Sequence, residues 1–284
     1  MPPRVTSYMS TPVITARKND NLAHIRNLMI RHKIGKVVIT EEDGETIYGI
    51  ISKSDFVRIL YNRKKYIKPL EMLFAYEIAT TPVLAVRDNR TIKAAAQIMI
   101  RRNIGSLLVL DKEQKLIGII TKADLVRAYS ERYYGIYKVE DFMNRNPPTV
   151  SLSHSIFYVI DLMSESNVGK VVVVEKGKPV GVITKSDIMF LNIEGLLSVS
   201  KVKFVKKRGI SGRGFESMIR IYSLPIASDV MTPNPVTVKP TEDLAIAADV
   251  MTKNKIGTLP VVDDEGNLVG LLSKQDVLNA LRQV

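Results

Sequence analysis

The chain contains the stretch Gly49-Ile50-Ile51-Ser52-Lys53-Ser54-Asp55, and the same Gly-x-x-Ser/Thr-Lys-x-Asp pattern returns three times. The other copies are Gly118-Ile119-Ile120-Thr121-Lys122-Ala123-Asp124, Gly181-Val182-Ile183-Thr184-Lys185-Ser186-Asp187 and Gly270-Leu271-Leu272-Ser273-Lys274-Gln275-Asp276. A unit of about 55 residues that recurs four times determines the architecture before any single residue is considered. It also provides four candidate anion sites of one design.

Two further landmarks keep the four copies in register. A methionine stands six residues before a glycine in every copy, and a leading residue stands twenty residues before that methionine. The methionine and glycine pairs are Met29/Gly35, Met99/Gly105, Met163/Gly169 and Met251/Gly257, and the leading residues are Met9, Ala79, Met143 and Met231. The spacing from this glycine to the motif glycine varies between 12 and 14, which is typical of a hairpin loop.

Apolar periodicity predicts the elements of each copy. Apolar residues before the methionine recur at spacings of three and four, which indicates an amphipathic helix. Short runs rich in valine and isoleucine follow, and they predict two strands joined by a turn. A short closing helix begins within the motif. Each copy is therefore predicted to be β-α-β-β-α, the chain is predicted to be an α+β protein, and the methionines are interpreted as core residues.

The repeats are expected to pair, because one unit of this size buries too little surface to be stable alone. A proline follows the leading position by three residues in the first two copies (Pro12, Pro82) and by four in the last two (Pro147, Pro235). This offset predicts two modules, residues 1–134 and 135–284. The predicted boundaries are 1–61 and 75–132 for the first two repeats, 137–192 and 226–284 for the last two, and 193–225 for a basic insert.

Composition limits the class of protein. The 284 residues are 45% hydrophobic, which is enough for substantial cores, and there is no cysteine, which excludes disulfides and thiol chemistry and fits a reducing compartment. No apolar run approaches the roughly 18 residues of a membrane span, and no secretory signal is visible at the start of the chain. We therefore expect a cytoplasmic protein with no membrane contact.

The positive charge is concentrated in two connections. The net charge is +12, and residues 58–72 contribute +4 and residues 192–226 contribute +5, which together make +9. One interpretation is solvated linker charge. The other is an anionic partner such as nucleic acid, bound through 58–72 and 192–226.

The residue inventory argues against an enzyme. The three histidines have no metal-binding spacing, and neither a cysteine nucleophile nor a serine nucleophile elbow is present. We therefore expect no catalytic residue, no metal site and no required cofactor.

The landmarks together resemble the cystathionine-β-synthase (CBS) domain family. The resemblance rests on the proline-containing leading strand, the helix with its methionine, the Ile/Val-Gly before the second strand and the motif itself, and it covers nearly the whole chain except the basic insert. It implies β-α-β-β-α CBS repeats paired into two Bateman modules, in a pseudo-twofold, disk-like arrangement. Chains of four such domains are similar to stand-alone archaeal proteins and to the γ subunit of AMP-activated kinase.

The resemblance also implies a ligand and its contacts. The ligand is an adenine nucleotide (AMP, ADP or ATP), with S-adenosylmethionine ranked below, bound in clefts between paired repeats. The motif carboxylates are implied to hold the ribose hydroxyls and the motif hydroxyls to meet the phosphate; these residues are Asp55, Asp124, Asp187 and Asp276, and Ser52, Thr121, Thr184 and Ser273. The adenine slot is implied near Val13, Val83, Pro147 and Pro235.

Physical chemistry supports a phosphate at the motif but leaves an alternative open. A helix N-terminus favours phosphate through its free N–H groups and its dipole. The spacing Ser/Thr-x-x-Asp is also close to a helix capping box, although that box prefers Glu or Gln as the acidic partner. The clefts are also not expected to be equivalent. Lys36 and Lys170 directly follow the second-strand glycine, where Ser106 and Thr258 stand in the other copies, which predicts one better phosphate site per module.

We therefore expect a non-catalytic, energy-sensing regulatory protein that reports nucleotide occupancy to a regulated partner not identified by the sequence. The alternative is a nucleic-acid-binding protein that uses the basic connections and is modulated by nucleotide. Four repeats can close a disk within one chain, or two chains can stack as a homodimer.

Overall fold

The computed structural model describes residues 2–61, 68–166, 168–189, 203–207, 217–221 and 225–284, and its mixed architecture confirms the predicted α+β class. The strands are β1 Thr15–Arg17, β2 Lys36–Thr40, β3 Ile47–Ser52, β4 Ala85–Arg87, β5 Ser106–Leu110, β6 Leu116–Thr121, β7 Thr149–Val150, β8 Lys170–Glu175, β9 Lys178–Thr184, β10 Lys203–Lys207, β11 Ser217–Ile221, β12 Thr232–Pro233, β13 Thr258–Val262 and β14 Leu268–Ser273. The helices are α1 Leu22–Arg31, α2 Lys53–Tyr61, α3 Ala75–Ile78, α4 Ile92–Arg101, α5 Lys122–Arg132, α6 Ile156–Glu165, α7 Lys185–Met189, α8 Ala227–Val230, α9 Leu244–Lys253 and α10 Lys274–Gln283.

The first three repeats share one sheet topology. A short leading strand pairs in parallel with the second strand, which pairs antiparallel with the third, in the orders β1-β2-β3, β4-β5-β6 and β7-β8-β9. A register shift occurs at the same place in all four hairpins, at Ile39/Thr40, Val109/Leu110, Val173/Val174 and Val261/Val262. The variable spacing in the sequence therefore lies beyond this bulge, in the turn.

The fourth repeat departs from the predicted pattern at its leading strand. Only Val238 bridges the second strand, at Val261, while β12 pairs antiparallel with β9 of the third repeat. Prolines explain the loss, because Pro260 and Pro240 stand where Val38 and Lys18 donate ladder hydrogen bonds in the first repeat, and proline has no N–H to donate.

The fixed six-residue spacing from methionine to glycine has a structural cause at the end of the first helix. In the first repeat, the N–H of Ile34 donates to the Met29 carbonyl at 3.0 Å, and the N–H of Lys33, at φ 54°, donates to Ile30 at 3.2 Å. These two bonds are those of a Schellman motif. The equivalent long bond runs to Met99, Met163 and Met251 in the other repeats. The glycine follows this cap directly, so its distance from the methionine cannot vary.

The first helices confirm the predicted core positions. Each helix begins after an N-cap residue whose side chain accepts a backbone N–H of the first turn. These N-cap residues are Asn21, Thr91, Ser155 and Asp243. The apolar positions predicted from the 3–4 spacing are fully or almost fully buried: Leu22, Ile25, Met29, Ile92, Ala95, Ala96, Met99, Ile156, Val159, Ile160, Met163, Leu244, Ala247, Ala248 and Met251. Burial of each large side chain contributes about 1.5–3 kcal/mol.

The motif glycines mark the contact between paired repeats. A Cβ on Gly118 would collide with the Met9 side chain, and a Cβ on Gly181 with the Met231 side chain. A Cβ on Gly270 would lie 2.8 Å from Met143 Sδ. Each leading residue thus packs on the motif glycine of the other repeat in its pair, which accounts for both landmarks at once. At Gly49 the leading residue is Ala79, whose Cβ would be 3.0 Å away.

Backbone bridges join the same pairs. Ser10 of the first repeat bridges Ile119 of the second, and Thr80 of the second bridges Ile50 of the first. In the other pair, Asn144 bridges Leu271, and β12 extends the sheet of the third repeat. These contacts join the first repeat to the second and the third to the fourth.

Helices join the two pairs to each other. Helix α5 of the second repeat packs on α9 and α10 of the fourth, and α4 packs on α10, in one continuous core. Helix α2 of the first repeat packs on α6 and α7 of the third. Sheet contacts and helix contacts therefore alternate around a closed ring in the order first, second, fourth, third.

The predicted basic connections lie mostly outside the described residues. Within 193–225, the described residues are those of β10 and β11, which form an antiparallel pair, and Pro225. Residues 62–67 are likewise not described, and Leu70–Met72 forms a 3-10 turn. Among the described residues, no helix combines the length and the apolar composition that crossing a membrane requires.

The contact between Met9 and Gly118 predicts a specific coupling of mutations. Gly118→Ala is expected to destabilise the fold by about 1–3 kcal/mol, because the new methyl overpacks the Met9 side chain. Met9→Ala removes the colliding atoms, all of which lie beyond the Met9 Cβ, so the double variant is expected to be more stable than the sum of the single effects predicts, by at least about 0.5 kcal/mol. Urea unfolding of the four proteins measures this coupling, and additive effects would contradict the contact.

Candidate functional site

Strand register aligns the candidate residues in one row per repeat. In the hairpins, Lys36 lies opposite Ser52, Ser106 opposite Thr121, Lys170 opposite Thr184 and Thr258 opposite Ser273. On the other side of the second strand, parallel pairing fixes the register of the leading segment. The pairs are Thr15/Val38, Ala85/Leu108, Thr149/Val172 and Val238/Val261. Continued back along this register, the predicted slot residues Val13, Val83, Pro147 and Pro235 are level with the same row, and all four are half-buried. The slot residue and the motif hydroxyl of each repeat therefore lie at the same end of its sheet, on either side of the second strand.

The motif forms the same clamp in all four repeats. In the second repeat, Asp124 Oδ2 accepts the backbone N–H of Thr121 at 2.8 Å and its hydroxyl at 2.7 Å. The other three clamps have the same two bonds at 2.7–2.8 Å, between Ser52 and Asp55, Thr184 and Asp187, and Ser273 and Asp276. The carboxylate thus caps its own helix with one oxygen.

The second carboxylate oxygen differs between repeats. In the first repeat, Asp55 Oδ1 is paired with Arg58 at 3.0 Å, and Arg58 also donates to the Ile78 carbonyl at 2.9 Å. In the second repeat, the equivalent Arg127 donates to the Tyr8 carbonyl at 3.0 Å, which is the counterpart of the Ile78 bond, and no ion pair of Arg127 with Asp124 is described. In the fourth repeat this position is Asn279. The capping role and a ligand role are therefore compatible, but the first repeat has the more occupied carboxylate.

Lys36 and Lys170 reach across their pairs. A Cβ on Gly105 would lie 3.0 Å from Lys36 Nζ, so the ammonium of the first repeat lies at the glycine that precedes β5 of the second. Lys170 Nζ donates to the Gly257 carbonyl of the fourth repeat, which also accepts the N–H of Lys274 at 3.3 Å. Each of the two lysines thus extends from one repeat into the clamp region of the other.

The motif lysines reach in the other direction, between the two pairs. Lys53 Nζ donates to Ser186 Oγ at 2.9 Å, and Lys185 Nζ donates to Ser54 Oγ at 3.2 Å. Lys122 Nζ donates to Gln275 Oε1 at 2.5 Å. The residue that would receive Lys274 by the same symmetry is Ala123, which has no side-chain acceptor. Six lysines therefore converge at the centre of the ring, around the four clamps.

Burial perturbs these cations. Desolvation, reinforced by repulsion from Lys122, lowers the pKa of Lys36 to about 8. Desolvation lowers the pKa of Lys170 to about 7, with repulsion from Lys274 and Lys122 partly offset by Asp276. The pKa values of Lys53, Lys122, Lys185 and Lys274 are lowered by the same desolvation, and burial raises those of Asp124 and Asp276. A bound anion would stabilise the charged form of these lysines.

The sequence missed several groups that line this centre. Ser186 and Gln275 were not identified, because their contacts depend on how repeats face each other. Arg58 was not identified either, although it pairs with Asp55 three residues earlier in the same helix. A partial signal exists in the residue before the motif aspartate, which is polar in three copies (Ser54, Ser186, Gln275) and alanine in one (Ala123).

The chain belongs to the CBS domain family. The family model "CBS domain" matches residues 5–62, 75–131, 139–193 and 227–283. Protein MJ1225 of Methanocaldococcus jannaschii is 24% identical over 280 residues, which cover 94% of each chain. A 17.7 kDa protein of Acidianus ambivalens is 32% identical over 131 residues, 46% of this chain and 77% of that protein.

Solved structures share the whole architecture. The crystal structure of MJ1225 superposes with a TM-score of 0.77 at 21% identity, covering 98% of this chain and 99% of the other. A conserved protein of Pyrococcus horikoshii superposes with a TM-score of 0.64 at 21% identity and the same coverage. At this identity the similarity establishes the fold of four CBS repeats.

The buried lysines predict how stability depends on pH. Between pH 7 and about 10 the unfolded chain keeps Lys170 protonated while the folded chain has lost that proton, so the free energy of unfolding rises with pH, by at most about 1.4 kcal/mol per unit for this group. Lys170→Met is therefore expected to be more stable than the wild type at pH 6, with an advantage that shrinks by pH 9. Denaturant unfolding at several pH values measures it, with exposed Lys112→Met as the control, and a pH-independent difference would contradict it.

Proposed function

We propose that this protein is a non-catalytic regulatory protein that binds adenine nucleotides, AMP, ADP or ATP, in the clefts between paired CBS repeats. The observation that carries the proposal is the convergence of six half-buried lysines on four Ser/Thr–Asp clamps. A phosphate would supply the negative charge that these cations lack, and an aspartate oxygen would accept ribose hydroxyls.

The polarity of each row fits one orientation of the ligand. In each row the half-buried slot residue lies on the leading-strand side, and the clamp lies on the third-strand side, where the motif lysine begins the closing helix. An adenine would occupy the apolar side, the ribose would meet the clamp, and the phosphate would point to the centre of the ring. S-adenosylmethionine has no phosphate and carries a positive sulfonium, so the lysines favour nucleotides over it.

The closing helices offer a route from ligand to partner. Helix α5 begins at the clamp of the second repeat, and its body packs on α9 and α10 of the other pair. A ligand that binds one packing of these helices more tightly would shift the equilibrium between packings. A partner that contacts both pairs would then sense occupancy.

The nucleic-acid alternative is not proposed. It rested on residues 58–72 and 192–226, and most of the charged residues of these connections lie outside the described residues. No described contact favours it.

Weakening the clamp charge is expected to weaken nucleotide binding without unfolding the helices. Asp124→Asn/Asp276→Asn keeps an oxygen that accepts the backbone N–H but loses the charge-assisted bonds to ribose, so AMP affinity at these clefts is expected to fall roughly tenfold. Calorimetry with AMP, ADP, ATP and S-adenosylmethionine on nucleotide-free protein measures it. Asp243→Asn, which changes a helix cap outside the motif, is the control and should leave binding unchanged. If none of these compounds binds the wild-type protein, the proposed function is refuted.

Binding is also expected to take up protons. At pH 8 Lys170 is mostly neutral, and a phosphate beside it would restore its charge, so nucleotide binding draws protons from the buffer. Calorimetry of ATP binding in two buffers of different ionisation enthalpy, such as Tris and HEPES, reports this uptake, which Lys170→Met should reduce. Binding enthalpies that do not depend on the buffer would contradict the contact between Lys170 and phosphate.

A further inference from the structure

The four clefts differ in the number of lysines at the glycine before the second strand. At Gly105 a Cβ would meet Lys36 Nζ at 3.0 Å and Lys122 Cε at 3.9 Å. At Gly257 it would meet Lys170 Nζ at 3.4 Å and Lys274 Cε at 3.5 Å. These are the two-lysine clefts, in the second and fourth repeats.

The other two clefts have one lysine each. At Gly35 the neighbour is Lys53, at 3.8 Å, and at Gly169 it is Lys185, at 3.7 Å. Ser106 and Thr258 occupy the positions from which a second lysine would reach these one-lysine clefts. The side chain at this position crosses to the paired repeat. A lysine in the first or third repeat therefore adds its positive charge to the cleft of the second or fourth repeat.

A second observation points to a ligand at the fourth repeat. Thr258 is 7% exposed, and its hydroxyl has no hydrogen-bond partner among the described residues. It directly follows Gly257, whose carbonyl accepts Lys170 Nζ. Buried hydroxyls normally find a partner, so this one is available to a polar ligand between the third and fourth repeats.

Charge and packing separate the two kinds of cleft further. The two-lysine clefts face each other across the α5 and α10 contact, where Lys122 donates to Gln275 and also repels both Lys36 and Lys170. These two clefts contain four lysines and only two carboxylates, Asp124 and Asp276. Lys53 and Lys185 stand against Asp55 and Asp187, and Arg58 already occupies Asp55 Oδ1. Counted with Arg58, the first and third repeats have three cations against two carboxylates, whereas the second and fourth have four lysines against two, so the excess positive charge is greater in the second and fourth.

We propose that the two-lysine clefts select nucleotides with two or three phosphates over the monophosphate, and that the one-lysine clefts make no such distinction. This inference rests on the proposed function and assigns its ligand class cleft by cleft. The lysine of the motif meets the first phosphate, and the lysine from the other repeat, Lys36 or Lys170, meets the next. A monophosphate leaves the second lysine without an anion, so chain length determines the affinity.

The test exchanges each crossing lysine for the residue found at the equivalent position of its partner repeat, in Lys36→Ser/Lys170→Thr. In the wild type, ATP without magnesium is expected to bind the tightest sites roughly tenfold or more tightly than AMP, and in the variant the ratio should fall to about one with AMP affinity nearly unchanged. Lys53→Ser/Lys185→Ser removes the same number of charges from the one-lysine clefts and should keep the ratio. An unchanged ratio in Lys36→Ser/Lys170→Thr would overturn the proposal.

Inorganic tripolyphosphate separates this proposal from the proposed function, since it has no adenosine. Thermal unfolding of the full chain should show stabilisation by tripolyphosphate, little by orthophosphate, and none in Lys36→Ser/Lys170→Thr. If tripolyphosphate stabilises through these lysines while no adenine nucleotide binds, the lysine pairs are supported and the nucleotide function fails. If nucleotides bind but tripolyphosphate does not distinguish the variant from the wild type, the selection by phosphate number is overturned and the nucleotide function stands.

Discussion

Every cleft of this molecule depends on one close contact, between the motif glycine of one repeat and the leading residue of the repeat paired with it. Because the methionine sulfur or alanine methyl occupies the place of a side chain, the two sheets approach closely enough for bridges such as Ser10 to Ile119. That approach brings Lys36 to Gly105 and Lys170 to Gly257. The second and fourth repeats therefore each receive one of their two lysines from the repeat paired with them.

Local rules explain why so much of the fold could be predicted from the sequence. The methionine-to-glycine spacing is the length of a Schellman cap, which depends only on neighbouring residues. The 3–4 spacing located the buried face of each first helix, and the valine-rich runs located the hairpins. The leading strand of the fourth repeat is shorter than predicted and keeps one parallel bridge, because prolines removed donors that its ladder needed. Where a feature was encoded within about ten residues, the prediction held.

The sequence predicted the positions of the candidate residues but not which other repeat each side chain contacts. The four motif hydroxyl residues and the four slot residues lie on the rows that strand register defines, and each motif aspartate accepts the hydroxyl of its own row. The direction in which Lys36, Lys122 and Lys170 extend could not be predicted, because it is set by which repeat faces which across sheet and helix contacts. Arg58 and its counterpart Arg127 both donate to a carbonyl of the paired repeat, at Ile78 and Tyr8, but an ion pair with the motif aspartate is described for Arg58 alone. Repeated motifs therefore concealed unequal surroundings.

The ring closes within a single chain, and this has an evolutionary consequence. Two copies of a two-repeat protein could form the same ring as a homodimer, but symmetry would then force facing clefts to have identical sequences. Fusion of the two halves removes that restriction. Arg58 can occupy one clamp while no equivalent ion pair is described in its counterpart, and Gln275 can receive a lysine while Ala123 receives none. Because the four repeats belong to one chain, the residues around each of the four clamps can change independently while the shared fold is kept.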